Sequence, residues 1–177
     1  EAQGTTSILF DVRNNPGGLK SELVDLLDYL LPEGEIFHTV DYAGNDEIDT
    51  SDEAHLALPM AVLVNGYSAS ASEILAGAIR DNHAGTLVGT KTFGKGVVQS
   101  SLEFADGSGM KVTTARYYTP SGECIHEIGI EPDIEVELDA DAVTRYGINN
   151  LPHENDAQLQ CAIAVLSGKT ATESEAK

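Results

Sequence analysis

The chain has 177 residues, of which 41% are hydrophobic and 22% are charged, and its formal net charge is −19 at pH 7. This composition is typical of one globular domain with a sizeable core, and it excludes a disordered chain. The acidic excess excludes surfaces that bind nucleic acid or an anionic membrane, because both need a basic patch that the sequence lacks. No apolar run approaches the roughly 20 residues of a membrane-spanning helix. Cys124 and Cys161 have neither metal-site spacing nor a dense disulfide pattern.

The first part of the chain alternates strand and helix signals. Residues 7–13 are β-prone and mostly apolar, which predicts a buried strand, and the Asn-Asn-Pro-Gly-Gly run at 14–18 predicts a turn after it. Leucines at helical spacing then predict a helix that begins near Leu19 and ends before Pro32. Residues 35–42 have strand character. The polar, acidic stretch that follows, up to residue 59, lacks clear periodicity and predicts a solvated loop or a hairpin.

The remainder begins with the same alternation and then becomes rich in hairpins. Its patterns predict a buried strand at 60–65, a helix at about 70–82, a short strand at 86–89, a hairpin of 97–104 with 110–118, a strand at 134–138, a helix from Asp156 to Leu166 and a loose tail at 168–177. This order favours an α/β fold with a mixed β-sheet core flanked by helices. No internal repeat or second domain is indicated, so we expect residues 1–177 to form one domain.

The stretch 68–73, Ser-Ala-Ser-Ala-Ser-Glu, offers a serine at the start of a helix. A structural role explains it well, because Ser70 and Glu73 have the spacing of a capping box. A nucleophile at the same position would profit from the exposed amides and the dipole of the helix N-terminus. Spacing alone does not choose among Ser68, Ser70 and Ser72.

A lysine between two glycines is the second candidate. Lys95 follows Ser70 by 25 residues, and Gly94 and Gly96 would allow the lysine to approach another segment closely. Most lysines on such loops simply point into water, and the glycine spacing of a phosphate-binding loop is absent. A lysine becomes a general base only where its neutral form is favoured.

The glycine-rich turn at 14–18 has two interpretations. It is either a plain turn or a segment whose backbone amides point at a ligand, as an oxyanion site requires.

Taken together, these motifs resemble the carboxyl-terminal processing peptidases, also called tail-specific proteases. Most of the chain takes part in the resemblance, and the matching segments follow one another with family-like spacing. These segments are residues 11–18, 62–65, 68–73, 88–99, 106–109, 118–122 and 129–133. The resemblance implies the sheet-and-helix fold that this family shares with crotonase and Clp-like peptidases.

The resemblance also implies a mechanism and its residues. The family's serine nucleophile and its lysine base 25 residues later fall on Ser70 and Lys95. The glutamine that often supports the lysine falls on Gln99, and an aspartate that matters in some members falls on Asp81. The family's oxyanion hole would use the amide of Ala71 with that of Gly17, or else of Gly18. The implied chemistry is hydrolysis through an acyl-enzyme, with no metal and no organic cofactor.

The family's substrates are protein chains cut near their C-termini, often gripped by a PDZ domain. No PDZ domain is recognisable here, so we expect an excised catalytic core, in which an exposed apolar edge favours self-association into homo-oligomers. By resemblance, the full-length protein would work outside the cytoplasm, in the periplasm or cell envelope, with a membrane anchor as one arrangement. The alternative is a catalytically silent peptide- or ligand-binding module of the same fold.

Overall fold

The computed structural model describes residues 4–168, and the expected tail lies, apart from Gly168, outside the described residues. Within this described range, four helices and eight strands form the fold, together with short 3₁₀ turns at Ile148–Asn150 and His153–Asn155. In chain order the elements are β1 (Ile8–Asp11), α1 (Lys20–Leu30), β2 (Gly34–Asp41), β3 (Asp46–Ser51), β4 (Met60–Val64), α2 (Ala71–Asp81), β5 (Gly85–Gly89), β6 (Val97–Glu103), β7 (Gly109–Tyr118), β8 (Ile134–Glu135), α3 (Ala140–Tyr146) and α4 (Ala157–Leu166).

A parallel sheet with strand order β1-β4-β5-β8 forms one half of the fold. Its central strand β4 is entirely buried and entirely apolar, as expected for a strand covered on both faces. Ala61 and Leu63 belong to the small apolar cluster beneath α4, whereas Met60, Val62 and Val64 belong to the main core with α2. The period-2 alternation of a strand therefore divides one apolar run between two layers.

An antiparallel sheet with strand order β3-β2-β7-β6 forms the other half. The predicted hairpin is present as β6 and β7. The acidic stretch after β2 is a hairpin partner rather than a loop, because residues 46–51 pair with β2 as β3. Helix α2 contacts both sheets, so its buried side, which includes Ile74, Leu75 and Ile79, joins the two halves into one core.

The α/β fold class is confirmed, with the strands divided between two sheets instead of one. The strand predicted at 134–138 is too long, because pairing with β5 ends at Glu135 and only the amide of Val136 continues it, to the oxygen of Gly89. Helix α3 was not predicted from the sequence. The helix predicted from Asp156 is present as α4, and Asp156 is its N-cap, since its carboxylate accepts from the amide of Leu159 at 3.0 Å.

The parallel sheet places the chemical motifs together. The turn at 14–18 follows β1, the serine-rich turn follows β4, and the loop that carries Lys95 follows β5. The carboxyl ends of neighbouring parallel strands meet at one edge, which is where α/β proteins place their ligand sites. Within residues 4–168, no helix combines the length and the hydropathy needed to cross a membrane.

Candidate active site

Ser70 lies at a strained backbone position where α2 begins. Its φ of 59° and ψ of −120° are unfavourable for a residue with a side chain, which costs about 1–3 kcal/mol. Two hydrogen bonds to Glu73 hold it there. The Ser70 amide donates to Oε2 of Glu73 at 3.0 Å, and the Glu73 amide donates to the backbone carbonyl oxygen of Ser70 at 2.8 Å. A sharp strand-to-helix turn of this kind presents a serine side chain at the sheet edge.

The two other serines of the motif hold the backbone in place. Ser68 is fully buried, and its hydroxyl donates to the oxygen of Val12 at 2.8 Å and accepts from the amide of Asn65 at 2.9 Å. The Ser72 hydroxyl donates to the oxygen of Asn15 at 3.0 Å. Both hydroxyls therefore fasten the serine-rich turn to the segment that follows β1. Ser70 is half-buried beside them.

Gly17 packs directly against the serine-rich turn. Its φ is +101°, and a Cβ atom at this position would lie 2.7 Å from the oxygen of Ala69 and 2.8 Å from the amide nitrogen of Ala71. Only glycine fits this approach. The Gly17 amide donates to Oδ1 of Asn15 at 2.9 Å, so this predicted oxyanion donor already has a partner in this state.

Lys95 lies half-buried on the loop between β5 and β6, and this loop is tied to α2 through its backbone. The Lys95 amide donates to Oε2 of Glu73 at 2.8 Å, and the Gly94 amide donates to Oε1 at 2.7 Å. On the other side, a Cβ atom at Gly96 would lie 2.6 Å from the amide nitrogen of His126. The glycines around Lys95 thus allow the close contact that the sequence predicts.

Glu73 is the functional residue whose full role the sequence did not reveal. Its side chain is fully buried, yet its oxygens accept four hydrogen bonds, because Oε1 also accepts from the Thr92 hydroxyl at 2.6 Å. The capping-box spacing predicts only the bond to Ser70. The sequence pattern did not place Glu73 on the buried side of the helix. Its position directly before Ile74 and Leu75 was the available signal, since a buried carboxylate needs several partners.

Tyr117 of β7 contacts the backbone of Ser70 and Lys95 at their carbonyl oxygens. Its hydroxyl donates to the carbonyl oxygen of Lys95 and lies 3.3 Å from the carbonyl oxygen of Ser70. Its ring is buried and packs edge-on against Phe37 at 6.5 Å. Burial, followed by the nearby Glu73 carboxylate, raises the pKa of Tyr117 well above its ordinary value, so the hydroxyl keeps its proton.

A buried ion pair fixes the segment that leads to the turn at 14–18. The Arg13 guanidinium donates to both oxygens of Asp156, at 3.0 and 2.9 Å, to Oε1 of Gln158 at 3.1 Å, and to Asp11. Burial alone would lower the pKa of Arg13, but its hydrogen bonds to Asp11 and Asp156 outweigh burial and raise it. This cluster joins the end of β1 to the start of α4.

A cavity of about 270 Å³ lies beside the serine-rich turn, between α1 and α2. It is mostly apolar, and Glu22 adds a carboxylate to its lining. Gly17, Gly18 and Ala71 line it as well, so the predicted oxyanion donors border the cavity. Its apolar walls are formed by Phe10, Val12, Leu19, Leu23, Leu26 and Leu75.

Across the part of the chain that the structure describes, no hydrogen bond joins either predicted supporting residue, Gln99 or Asp81, to Ser70 or Lys95. Gln99 is exposed on β6, four residues beyond Lys95. Asp81 ends α2, opposite the end where Ser70 lies, and its carboxylate accepts from Arg80 at 2.7 Å and from the Ser121 amide at 3.0 Å. Among the described residues, no group of three or more His, Cys, Asp or Glu side chains is arranged to hold a metal ion.

Comparison with known proteins gives consistent matches. The model of peptidase family S41 matches residues 1–136. The chain is 45% identical over 172 residues to the carboxyl-terminal-processing protease of Synechocystis sp., covering 97% of this chain and 39% of that protein. It is 42% identical over 137 residues to the chloroplastic C-terminal processing peptidase of Tetradesmus obliquus, covering 76% of this chain and 30% of that protein. The chain thus spans 30% to 39% of the length of these curated relatives.

Solved structures of proteases also superpose on this chain. A photosystem II D1 C-terminal processing protease superposes with a TM-score of 0.70 at 40% sequence identity, covering 85% of this chain and 41% of that one. The tricorn protease superposes with a TM-score of 0.54 at 21% identity, covering 92% of this chain and 15% of that one, which shows a shared fold alone.

Proposed function

The chain belongs to peptidase family S41, and on that premise we propose that it is the catalytic core of a serine endopeptidase, with Ser70 as nucleophile and Lys95 as general base. The observation that carries this proposal is the pair of hydrogen bonds from the amides of Ser70 and Lys95 to one oxygen of Glu73, at 3.0 and 2.8 Å. Two residues that are 25 positions apart are thereby held next to each other.

The proposed reaction has two halves. The neutral amine of Lys95 takes the proton from the Ser70 hydroxyl, and Oγ attacks the carbonyl carbon of a peptide bond. The tetrahedral intermediate collapses when the lysine returns the proton to the leaving amine, which gives an acyl-enzyme and a free amino terminus. Water then attacks the ester in the same way and releases the carboxyl product and Ser70. The strained turn would present the Ser70 hydroxyl at the edge of the parallel sheet for both steps.

The oxyanion would be stabilised by backbone amides. Ala71 provides one donor at the start of α2, where the helix dipole adds to its effect. The second donor would be Gly17, once Asn15 releases its amide, or Gly18 next to it. Each such donor is worth on the order of 10²–10³ in rate.

The substrates would be protein chains cut near their C-termini. The names of the relatives support this, as those proteins are called C-terminal processing proteases. The apolar cavity beside Gly17 and Ala71 is suited to the side chain that precedes the cut bond. For the full-length protein we further propose a PDZ domain that grips the substrate, self-association and an extracytoplasmic location. Gln99 and Asp81 would act as supporting residues, Asp81 from its distant end of α2.

Covalent labelling tests the proposal. The chain is incubated with a fluorophosphonate probe, and intact mass followed by peptide mapping locates the adduct. We expect one adduct, on Ser70, that Ser70→Ala removes. A chain that folds normally but takes up no probe would instead be the silent binding module of the same fold.

A further inference from the structure

We infer that Tyr117 is a positioning residue, whose hydroxyl sets the separation between Ser70 and Lys95. This inference rests on the proposed function, because it concerns how the proposed nucleophile and the proposed base are positioned. Within residues 4–168, the hydroxyl of Tyr117 forms no hydrogen bond to Oγ of Ser70 or Nζ of Lys95, so it would act through the backbone of these two residues.

The argument begins with how the backbone of each residue is bonded. On one side, the amides of Ser70 and Lys95 both donate to Oε2 of Glu73. On the other side, the carbonyl oxygens of the same two residues both lie against the hydroxyl of Tyr117. The Lys95 carbonyl accepts from the Tyr117 hydroxyl, whereas the Ser70 carbonyl accepts from the amides of Glu73 and Ile74, at 2.8 and 3.0 Å, and lies beside that hydroxyl. The Lys95 backbone is therefore held by the side chains of Glu73 and Tyr117, and the same Tyr117 hydroxyl adjoins the Ser70 backbone.

The two side chains are not equivalent. The Glu73 carboxylate also accepts from Thr92 and Gly94, and it shapes the whole loop between β5 and β6. The Tyr117 hydroxyl has a single proton, which goes to the nearer acceptor, the oxygen of Lys95, while the oxygen of Ser70 stays within 3.3 Å. Among the described residues, the polar contacts of this hydroxyl are with these two residues alone, so its removal would disturb their separation more than the loop.

Tyr117 is itself held from three directions, so it provides a fixed reference point. Its backbone amide donates to the oxygen of Gly96 at 3.1 Å, its ring packs against Phe37, and β7 pairs it with Thr39 of β2. Because its pKa is raised by burial, the hydroxyl remains a donor throughout the pH range in which a lysine base would work.

The test compares Tyr117→Phe with Tyr118→Phe. Phenylalanine keeps the ring that packs against Phe37 and removes only the hydroxyl. Tyr118 is the neighbouring residue on the same strand, and its ring stacks on His38 instead, which makes it the matched control. The fluorophosphonate reaction is measured at increasing probe concentration, so that the maximal labelling rate and the half-saturating concentration are obtained separately. Amide hydrogen exchange is followed by NMR in all three proteins.

In Tyr117→Phe we expect the maximal labelling rate to fall about 10-fold or more, with the half-saturating concentration unchanged. The amides of Ser70 and Lys95 keep Glu73 as their acceptor, but loss of the hydroxyl frees the Lys95 carbonyl and loosens the backbone that holds both amides against Glu73. We therefore expect exchange at these two amides to accelerate by a similar factor, while exchange in β4 stays the same. Tyr118→Phe should match the unmodified protein in both measurements. A merely structural tyrosine would accelerate exchange in β4 as well.

Unchanged exchange at Ser70 and Lys95 in Tyr117→Phe would overturn the inference, whatever the labelling shows. Failure of the unmodified protein to label would overturn the proposed function instead. The exchange comparison would still decide whether Tyr117 holds the two residues, because it needs no activity.

Discussion

Ser70 and Lys95 share one hydrogen-bond acceptor, since the amides of both donate to Oε2 of Glu73, at 3.0 and 2.8 Å. These two hydrogen bonds fix the backbones of Ser70 and Lys95 relative to each other, independently of the side chains of the two residues. A dyad of side chains depends on such support, because small displacements of reacting groups cost large factors in rate. The buried carboxylate that caps α2 also joins the serine-rich turn to the loop after β5.

We first predict that Glu73→Gln destabilises the fold. Each carboxylate oxygen accepts two hydrogen bonds, so either orientation of the amide would place an NH₂ group against two donors. Unmatched buried donors of this kind should lower the free energy of unfolding by about 2–5 kcal/mol. Urea unfolding measures the change. Glu103→Gln, an exposed change on β6, is the control, and equal unfolding free energies for both variants would contradict the prediction.

Gly17→Ala should damage both folding and labelling. The added Cβ atom would lie within 3 Å of Ala69, Ser70 and Ala71, and the φ of +101° is strained for alanine. The turn at 14–18 must then move away from Ser70. Thermal unfolding and the fluorophosphonate rate should both fall. Gly66→Ala is the matched control on the neighbouring turn, because its Cβ atom would meet nothing nearer than 3.8 Å. Labelling of Gly17→Ala at the unmodified rate would contradict the close packing of Gly17 against the serine-rich turn.

Ser68→Ala should destabilise the protein without moving the adduct. The Ser68 hydroxyl donates to Val12 and accepts from the amide of Asn65, and alanine leaves both groups unpaired in a buried site. We expect a loss of roughly 1–3 kcal/mol in the free energy of unfolding. Peptide mapping should still place the fluorophosphonate on Ser70. Loss of the adduct from a folded Ser68→Ala protein would show that the wrong serine has been assigned.

The Arg13–Asp156 ion pair should make the free energy of unfolding decrease at acidic pH. Burial by itself would raise the pKa of Asp156, but its hydrogen bond to Arg13 outweighs burial and holds the pKa below the ordinary value of 3.8. The folded state therefore binds this proton less tightly than the unfolded chain. Its contribution to stability is complete well above pH 3.8 and is lost as the pH falls through the lowered pKa.

Thermal unfolding from pH 7 to pH 3 measures this effect. Asp156→Asn should lower the unfolding midpoint at pH 7 and flatten its decline toward pH 3. Asp25→Asn, an exposed change on α1, should leave the curve unaltered. Parallel curves for Asp156→Asn and the unmodified protein would mean that the ion pair does not set the acid dependence.

Local patterns predicted most of the fold. The apolar runs of β1, β4 and β5 and the leucine spacing of α1 are local signals, and each element ends within a few residues of its predicted boundary. For the acidic stretch that contains β3, the sequence left a loop and a hairpin as alternatives, because an exposed edge strand needs no alternation of apolar residues. Helix α3 was missed for a related reason, since none of its residues is fully buried.

The site was predictable only where its bonds are local. The capping box relates Ser70 to Glu73 across three positions, which a sequence reveals. The bonds from Thr92, Gly94 and Lys95 to the same carboxylate join residues that are 19 to 22 positions apart, and no periodicity records them. Tyr117 was unrecognisable for the same reason, because its hydroxyl reaches the pair only after the two sheets pack on α2.

The pH dependence of labelling tests the Ser70–Lys95 assignment most directly. The fluorophosphonate rate is measured from pH 5 to pH 10 for the unmodified protein, Lys95→Met and Lys91→Met, in which an exposed lysine paired with Glu131 is replaced as control. We predict a rate that rises with pH in the unmodified protein and in Lys91→Met, because a lysine base must be neutral, and a rate lower by on the order of 10²–10⁴ in Lys95→Met. A rate independent of pH, or labelling of Lys95→Met at the unmodified rate, would contradict the assignment.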